Sequence, residues 1–373
     1  MLFEIHMLKN YAPSNLNRDD VGAPKSCSFG GVQRGRISSQ CLKHSWRNSQ
    51  IFQEAVGKAE LGIRTRHLPE MVMDELAGSD IPEEYLAIIK KKITGFGNKD
   101  GKENAKGDYT AQIVFYTPED VSAVAETIKE RLMQCHTKDE VKKISAKDIQ
   151  ADMKEGNMRG ITLDMALFGR MVTSDAFADI EASMQVAHAI STNRILPESD
   201  FFTAVDDLLS ESEETGSGMM GDVDYNSSCY YIYAALDTDK LRENLAKTDT
   251  RDELMAKVLP LLLETIAFTN PSGKQNSFAA HSLPSAIMIE CKEKKVPVSY
   301  ANAFEKPVYA ARGKSLSSGS AQQLLDFEDK MKKAYGLPVT KRLWFTTEEV
   351  DVADEEIVVC DTFQEMLTQL PKA

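Results

Sequence analysis

Hydrophobic and polar positions alternate along this chain with two periods, and the places where the period changes divide it into segments. Leu2-Phe3-Glu4-Ile5-His6-Met7-Leu8 is a short apolar run and predicts a buried strand. Residues 10–37 form a long polar connection, after which the spacing turns helical. At about 100° per residue, Gln40, Lys43, His44 and Arg47 share one stripe, and Leu42, Ser45, Trp46 and Ser49 share the opposite one. One face of this helix can pack while the other offers cations and an amide. Ser38 or Ser39 can cap its first turn.

Further on, residues 161–167 alternate and predict a strand ending at Gly169-Arg170-Met171. Ile180, Ala182, Met184, Val186, His188 and Ile190 share one face, which predicts a strand over 180–191 with His188 packed. Residues 228–236 alternate more weakly. Between these two strands, the Gly-, Ser- and acid-rich stretch 193–226 fits a projecting hairpin. Helical spacing covers 121–135, 239–245, 250–269 and 316–335, the third kinked at Pro260. Residues 285–290 read as another strand. Short strands and an acidic segment at 348–356 close the chain. The order of elements predicts an α+β fold with a ferredoxin-like core and insertions.

Charge sharpens this picture. The chain carries a net −13, yet residues 1–50 hold seven Lys/Arg against three Asp/Glu. A basic island in an acidic protein suits a polyanion, and the acidic total argues against a loose coat on DNA. Arg34 and Arg36 add to the island, and Gly30-Gly31 allows close backbone approach. The free amides of the helix N-terminus suit phosphate as well. Conversely, residues 195–239 contain eleven Asp/Glu and no Lys/Arg. The stretch 90–106, with Lys90, Lys91, Lys92, Lys99 and Lys102 among glycines, reads as a mobile lysine-rich loop within a largely helical insertion.

Composition excludes several classes. Hydrophobic residues make up 42% and charged residues 27%, as in an ordinary soluble globular protein. The six cysteines form no CxxC, which argues against a zinc knuckle or redox pair and for reduced thiols in a cytoplasmic protein. The six histidines form no HExxH, so neither a metal nor a cofactor is expected. No apolar run approaches the roughly 20 residues that span a bilayer, so no membrane association is expected.

Several blocks together resemble a known family. Leu16-Asn17-Arg18-Asp19-Asp20, Phe29-Gly30-Gly31 and Arg36-Ile37-Ser38-Ser39-Gln40 are similar to blocks of the CasC family, the repeated backbone subunit of the type I-E CRISPR surveillance complex, Cascade. The likeness continues through Gly169-Arg170-Met171, Ala187-His188-Ala189-Ile190, Phe202-Thr203-Ala204-Val205-Asp206-Asp207-Leu208 and Ser299-Tyr300-Ala301-Asn302-Ala303-Phe304-Glu305-Lys306, in family order. Residues 58–159 and the acidic tail carry little of it.

The resemblance implies an RRM-like palm with its first part at 1–58, a fingers insertion at 59–160 and palm strands at 161–193. A thumb hairpin at 194–226 and the remaining palm at 227–373 would complete it. It implies that Arg18, Lys25, Ser38, Gln40, Lys43 and Arg47 face guide RNA (crRNA), with Arg170 and Met171 in a guide-contacting loop. Phe201, Phe202 and Thr203 on the thumb would displace a base. The lysine-rich loop would lie on the fingers near target DNA. Implied partners are crRNA, target DNA, further copies of the chain stacked head to tail, and the Cas5-type, small and large Cascade subunits.

A subunit that holds many guides must grip phosphate and 2′-hydroxyl and leave base edges free, so the expectation is a non-enzymatic binder. RNP-type aromatic signatures are not apparent, which argues against base stacking on the sheet face. The rival expectation is a type III-like endoribonuclease with a divalent cation at Asp19 and Asp20, although Asn17, Asp19 and Asp20 also suit turn caps. A helix-turn-helix reading of Gln40, Lys43 and Arg47 lacks the preceding helix and tight turn.

Overall fold

The structure is a computed structural model that describes residues 1–155, 159–174, 176–204, 219–311 and 313–373. Two compact units account for them. One comprises Met1–Phe52, Gln185–Asp237 and Val258–Ala373, the other Gln53–Met184 and Thr238–Lys257.

The first unit is built on a large, mainly antiparallel sheet. Its strands are β1 (Leu2–Ser14), β2 (Ser26–Phe29), β3 (Val32–Ile37), β4 (Ala189–Ser191), β5 (Glu198–Ala204), β6 (Met219–Asp237), β7 (Pro284–Lys292), β8 (Lys341–Thr346) and β9 (Val358–Val359). The order across the sheet is β9-β8-β7-β1-β6-β4-β3-β2, and β5 pairs with β6. Of these pairs β8 and β9 run parallel and the others antiparallel. The middle of the sheet therefore reads last-first-third-second among β1, β4, β6 and β7.

Strand β1 begins where the apolar run predicts and continues to Ser14, because both of its neighbours are long enough to pair with most of it. The supposed connection over 10–37 thus contains the end of β1 and the β2–β3 hairpin. Both faces of β1 are buried, which explains its continuous rather than alternating apolarity. Leu2 and Leu8 join Tyr231, Met288 and Trp344 in a core closed by Ala321, Leu324 and Leu325 of the helix Leu316–Tyr335.

That face also buries charge. Lys292 Nζ lies 2.5 Å from Glu4 and 2.9 Å from Glu290, and Arg342 lies 2.7 Å from Glu290 and 2.8 Å from Glu328. Burial alone would raise the Glu290 carboxyl, but the surrounding cations pull it down to about 2. Burial outweighs the cations at the other two carboxyls, raising Glu4 and pushing Glu328 up to about 7. The members of the network therefore differ in how firmly they hold their charge, and removing one would leave its partner stranded.

Two strand expectations are corrected. Residues 161–167 form not a strand but part of a short helix, Leu163–Phe168. Leu163, Met165, Ala166 and Leu167 are all buried, and a short apolar run buried all round carries no readable period. The single strand over 180–191 is broken into Met184–Val186 and β4, and His188 in the gap is exposed rather than packed. The projecting hairpin is present as β5 paired with the start of β6.

The second unit is largely helical, as the sequence predicts for the insertion. Its helices Leu68–Glu75, Glu83–Ile93, Pro118–Met133, Lys138–Lys143 and Ala146–Glu155 enclose Val72, Ile89, Val124, Ile128 and Ile149. Thr117 with Asp120 and Thr137 with Glu140 form reciprocal caps at two helix starts. The unit reaches beyond 59–160 and takes in residues 161–184, which the resemblance assigns to palm strands. The lysine-rich stretch is not a loose loop. Phe96 is fully buried in the core, Thr94 Oγ1 accepts from Asn104 N at 2.9 Å, and Lys92 pairs with Glu103 at 2.8 Å. Lys91, Lys99 and Lys102 are exposed and Lys90 is half-buried.

Candidate nucleic-acid interface

The basic island becomes geometry through a short chain of backbone bonds. Lys25 N donates to Asn17 O at 2.8 Å, and Arg36 N donates to Lys25 O at 2.9 Å. Lys25 and Arg36 therefore sit across from each other, one step beyond the Ser26–Gly35 pair that ends the β2–β3 ladder. Asn17 fixes the next element too, because its Oδ1 accepts from Ser38 N at 2.9 Å. Ser38 then caps the helix Ser39–Arg47, accepting from Cys41 N at 3.2 Å.

On this helix the two stripes separate as predicted. Leu42 and Trp46 are buried, Gln40 and His44 are exposed, and Lys43 and Arg47 are half-buried. Ser38 itself is buried, so its hydroxyl serves the cap. Arg18 is exposed at the start of a turn closed by its bridge to Pro24.

The two arginines of β3 have opposite fates. Arg34 is fully buried and donates to five backbone carbonyls: Phe29 at 3.3 Å, Ser191 at 3.0 Å, Thr192 at 2.7 Å, Phe304 at 2.7 Å and Glu305 at 3.2 Å. It is a structural clamp, and the expectation that it faces an anion is corrected. Gly30 serves the same junction. It has φ +62°, and a Cβ there would stand 1.8 Å from Glu305 O. The glycine admits the chain's own backbone at this point.

Arg36 is only half-buried. Its Nε donates to Ser26 O at 3.3 Å, and its Nη1 lies 3.1 Å from His188 Nδ1. Among the described residues, neither Lys25 nor Arg36 has a carboxylate within 4.0 Å. Two neighbouring cations without a counterion repel each other, so the site favours an incoming anion. Sequence reasoning points to Lys25 and counts Arg36 in the basic island together with Arg34, but leaves His188 out of the site. Arg34 and Arg36 lie two residues apart, so strand alternation assigns them to one face and cannot separate clamp from ligand.

The remaining residues fall elsewhere. Arg170 is buried in the second unit, where it donates to Asp120 at 2.5 Å, Phe115 O at 3.3 Å and Ala178 O at 3.0 Å. Its guanidinium holds the turn and does not offer itself to a ligand. The next residue, Met171, is 92% exposed. On the hairpin, Phe201, Thr203, Met220 and Asp222 share one face by register. Phe202 lies on the other face with its ring against Gly221, where a Cβ would meet it at 3.0 Å. Phe201 is 62% exposed and Phe202 37%, so Phe201 is the freer ring.

Asp19 is held in its own turn, its Oδ1 accepting from Val21 N and Ala23 N at 3.0 Å each. Asp20 is exposed. Among the described residues, no group of three or more His, Cys, Asp or Glu is placed to hold a metal ion. None of the described helices is long and apolar enough to cross a membrane. All six cysteines are free thiols.

Comparison with known proteins adds a wider frame. A family model described as CT1975-like protein matches residues 3–370. A chain of a solved "CRISPR RNA-guided surveillance complex, pre-nicking" superposes with a TM-score of 0.82 at 26% identity, covering 99% of this chain and 98% of that one. A chain of a second solved "CRISPR RNA-guided surveillance complex" has a TM-score of 0.72 at 20% identity over the same shares, and shares the fold. No curated protein matches significantly.

Proposed function

The chain belongs to the CT1975-like protein family, and from that premise we propose that it is a non-catalytic backbone subunit of a CRISPR surveillance complex that binds crRNA along its phosphates. The observation that carries this reading is the Lys25–Arg36 pair beside the capped basic helix, without a carboxylate in ion-pair range among the described residues. It stands in a chain that superposes over nearly its whole length on a subunit of an RNA-guided complex. Backbone gripping of this kind supplies sequence-blind affinity and leaves base edges free to pair with target DNA.

The central strand order β7-β1-β6-β4, all antiparallel, supports reading the first unit as an RRM-like palm with the β5–β6 hairpin as its thumb. The second unit would be the fingers. Head-to-tail stacking of copies, and capping by the Cas5-type, small and large subunits, belong to the same reading. The commitment of Asp19 to its turn weighs against the endoribonuclease alternative at Asp19 and Asp20.

Purification of the chain with its host's complex tests the proposal. The bound nucleic acid should be one discrete RNA species that survives high-salt washing better than bulk RNA does. Recovery of the folded complex with only heterogeneous RNA, or with none, would overturn the reading.

A further inference from the structure

We infer that His188 is a third member of the anion grip, a proton-linked phosphate ligand positioned by Arg36; the inference rests on the RNA-binding reading of this site. Arg36 has only donors, so the contact of 3.1 Å between its Nη1 and His188 Nδ1 makes Nδ1 the acceptor. The imidazole proton is thereby placed on Nε2. Arg36 thus sets both the tautomer and the direction of the ring, and His188 is exposed, so Nε2–H is open to solvent beside two cations.

The surrounding charges govern how the ring responds to an arriving anion. Arg36 from β3 and Lys25 from the turn before β2 both act on it. The thiols of Cys27 and Cys41 lie beside these cations, but burial pushes both above their usual range and they stay neutral. On the side facing β6, Ala187 N is bonded to Tyr233 O at 3.0 Å, and the Tyr233 hydroxyl is committed to Glu4. Partial burial first, then Arg36 and Lys25, hold the His188 imidazolium below the ordinary range, so the empty site keeps the ring neutral near pH 7. A phosphodiester seated against Lys25 and Arg36 neutralises the field that disfavours a proton on the ring. Binding then takes up a proton at His188, and a third charge-assisted hydrogen bond forms. When protonated, the ring gives up its acceptor role, and Arg36 Nη1 turns to the phosphate.

The experiment measures affinity of the full chain for a fluorescein-labelled single-stranded RNA of mixed sequence, from pH 6 to pH 8 at constant ionic strength. The wild-type Kd should tighten by about three- to tenfold on going from pH 8 to pH 6, within the limit of tenfold per pH unit for one linked proton. His188→Gln keeps a neutral donor near the Nε2 position and cannot titrate. It should lose most of the pH dependence, so that its Kd at pH 6 and at pH 8 differ by less than about twofold. A labelled DNA of the same sequence should show the same increment, because the phosphate is the ligand. An increment confined to RNA would overturn the assignment to phosphate. Parallel pH profiles for wild type and His188→Gln, with RNA affinity weakened by Lys25→Ala and Arg36→Ala, would overturn the role of His188 alone. Unchanged RNA affinity in Lys25→Ala and Arg36→Ala would overturn the RNA-binding reading itself.

Discussion

Lys9 shows how much one buried residue can carry. Its side chain is fully buried in β1, and its Nζ donates to Thr269 O at 2.9 Å, with no carboxylate at that contact. Burial lowers its pKa to about 7, against 10.5 in water. Between those values the unfolded chain holds a proton that the folded chain has lost. Stability should therefore rise with pH across about 7 to 10.5 and lack this contribution below 7. Lys9→Met should remove that rise and raise stability at pH 7, as urea unfolding at a series of pH values would report. An unchanged slope in the variant would assign the effect to another group. Arg34 and Arg36 make the complementary point. Two residues apart in one basic run, they are equivalent by composition, yet one clamps five carbonyls and the other faces the open site. What separates them is the approach of residues 191–192 and 304–305, far away in sequence, and no local pattern records that.

At the scale of elements, the capped helix was legible because an exposed amphipathic helix keeps its period. Leu42 and Trp46 go inward, and the basic stripe is left on the other face. Replacing Lys43 or Arg47 by Ala should each lower the slope of log K against log salt by about one unit or slightly less, equally for unrelated RNA sequences. Filter binding across a salt series checks this, and a sequence-dependent loss would contradict a backbone grip. The helix Leu163–Phe168 was illegible for the opposite reason, since it is apolar on nearly every side. The hairpin lies between these cases. Its existence could be read from acid, Gly and Ser, but which phenylalanine is free depends on register. Phe202 covers Gly221, so Phe202→Ala should loosen the strand pair. Phe201→Ala should leave it intact and even out the position-to-position fluorescence of a guide carrying 2-aminopurine, if the freer ring is the one that wedges bases apart. An identical profile in Phe201→Ala would rule that ring out.

For the whole molecule, charge is segregated: acid dominates residues 195–239, and residues 1–50 are net basic. Two unlike surfaces that complement each other on successive copies make a heterologous contact, which propagates as a helix unless the rotation closes. Glu211, Glu213 and Glu214 belong to the acidic stretch but lie outside the described residues. Asp200 and Asp222 are described, exposed and on the hairpin. Reversing both to Lys should impair assembly of copies on a long RNA while sparing the binding of a single copy to a short one. Sedimentation of wild-type and variant complexes distinguishes the two, and equal assembly would leave the acidic hairpin as a solvated surface.

The Arg34 clamp also has a consequence for the order in which the protein is made. Its acceptors lie in segments that emerge from the ribosome at very different times, because the β2–β3 turn precedes residues 304–305 by most of the chain. At typical elongation rates of about 5–20 residues per second, the interval is on the order of tens of seconds. Until Phe304 and Glu305 appear, the guanidinium lacks its last acceptors and Gly30 lacks the backbone it packs against. The basic segment is translated early, but its final geometry must wait for the last third of the chain.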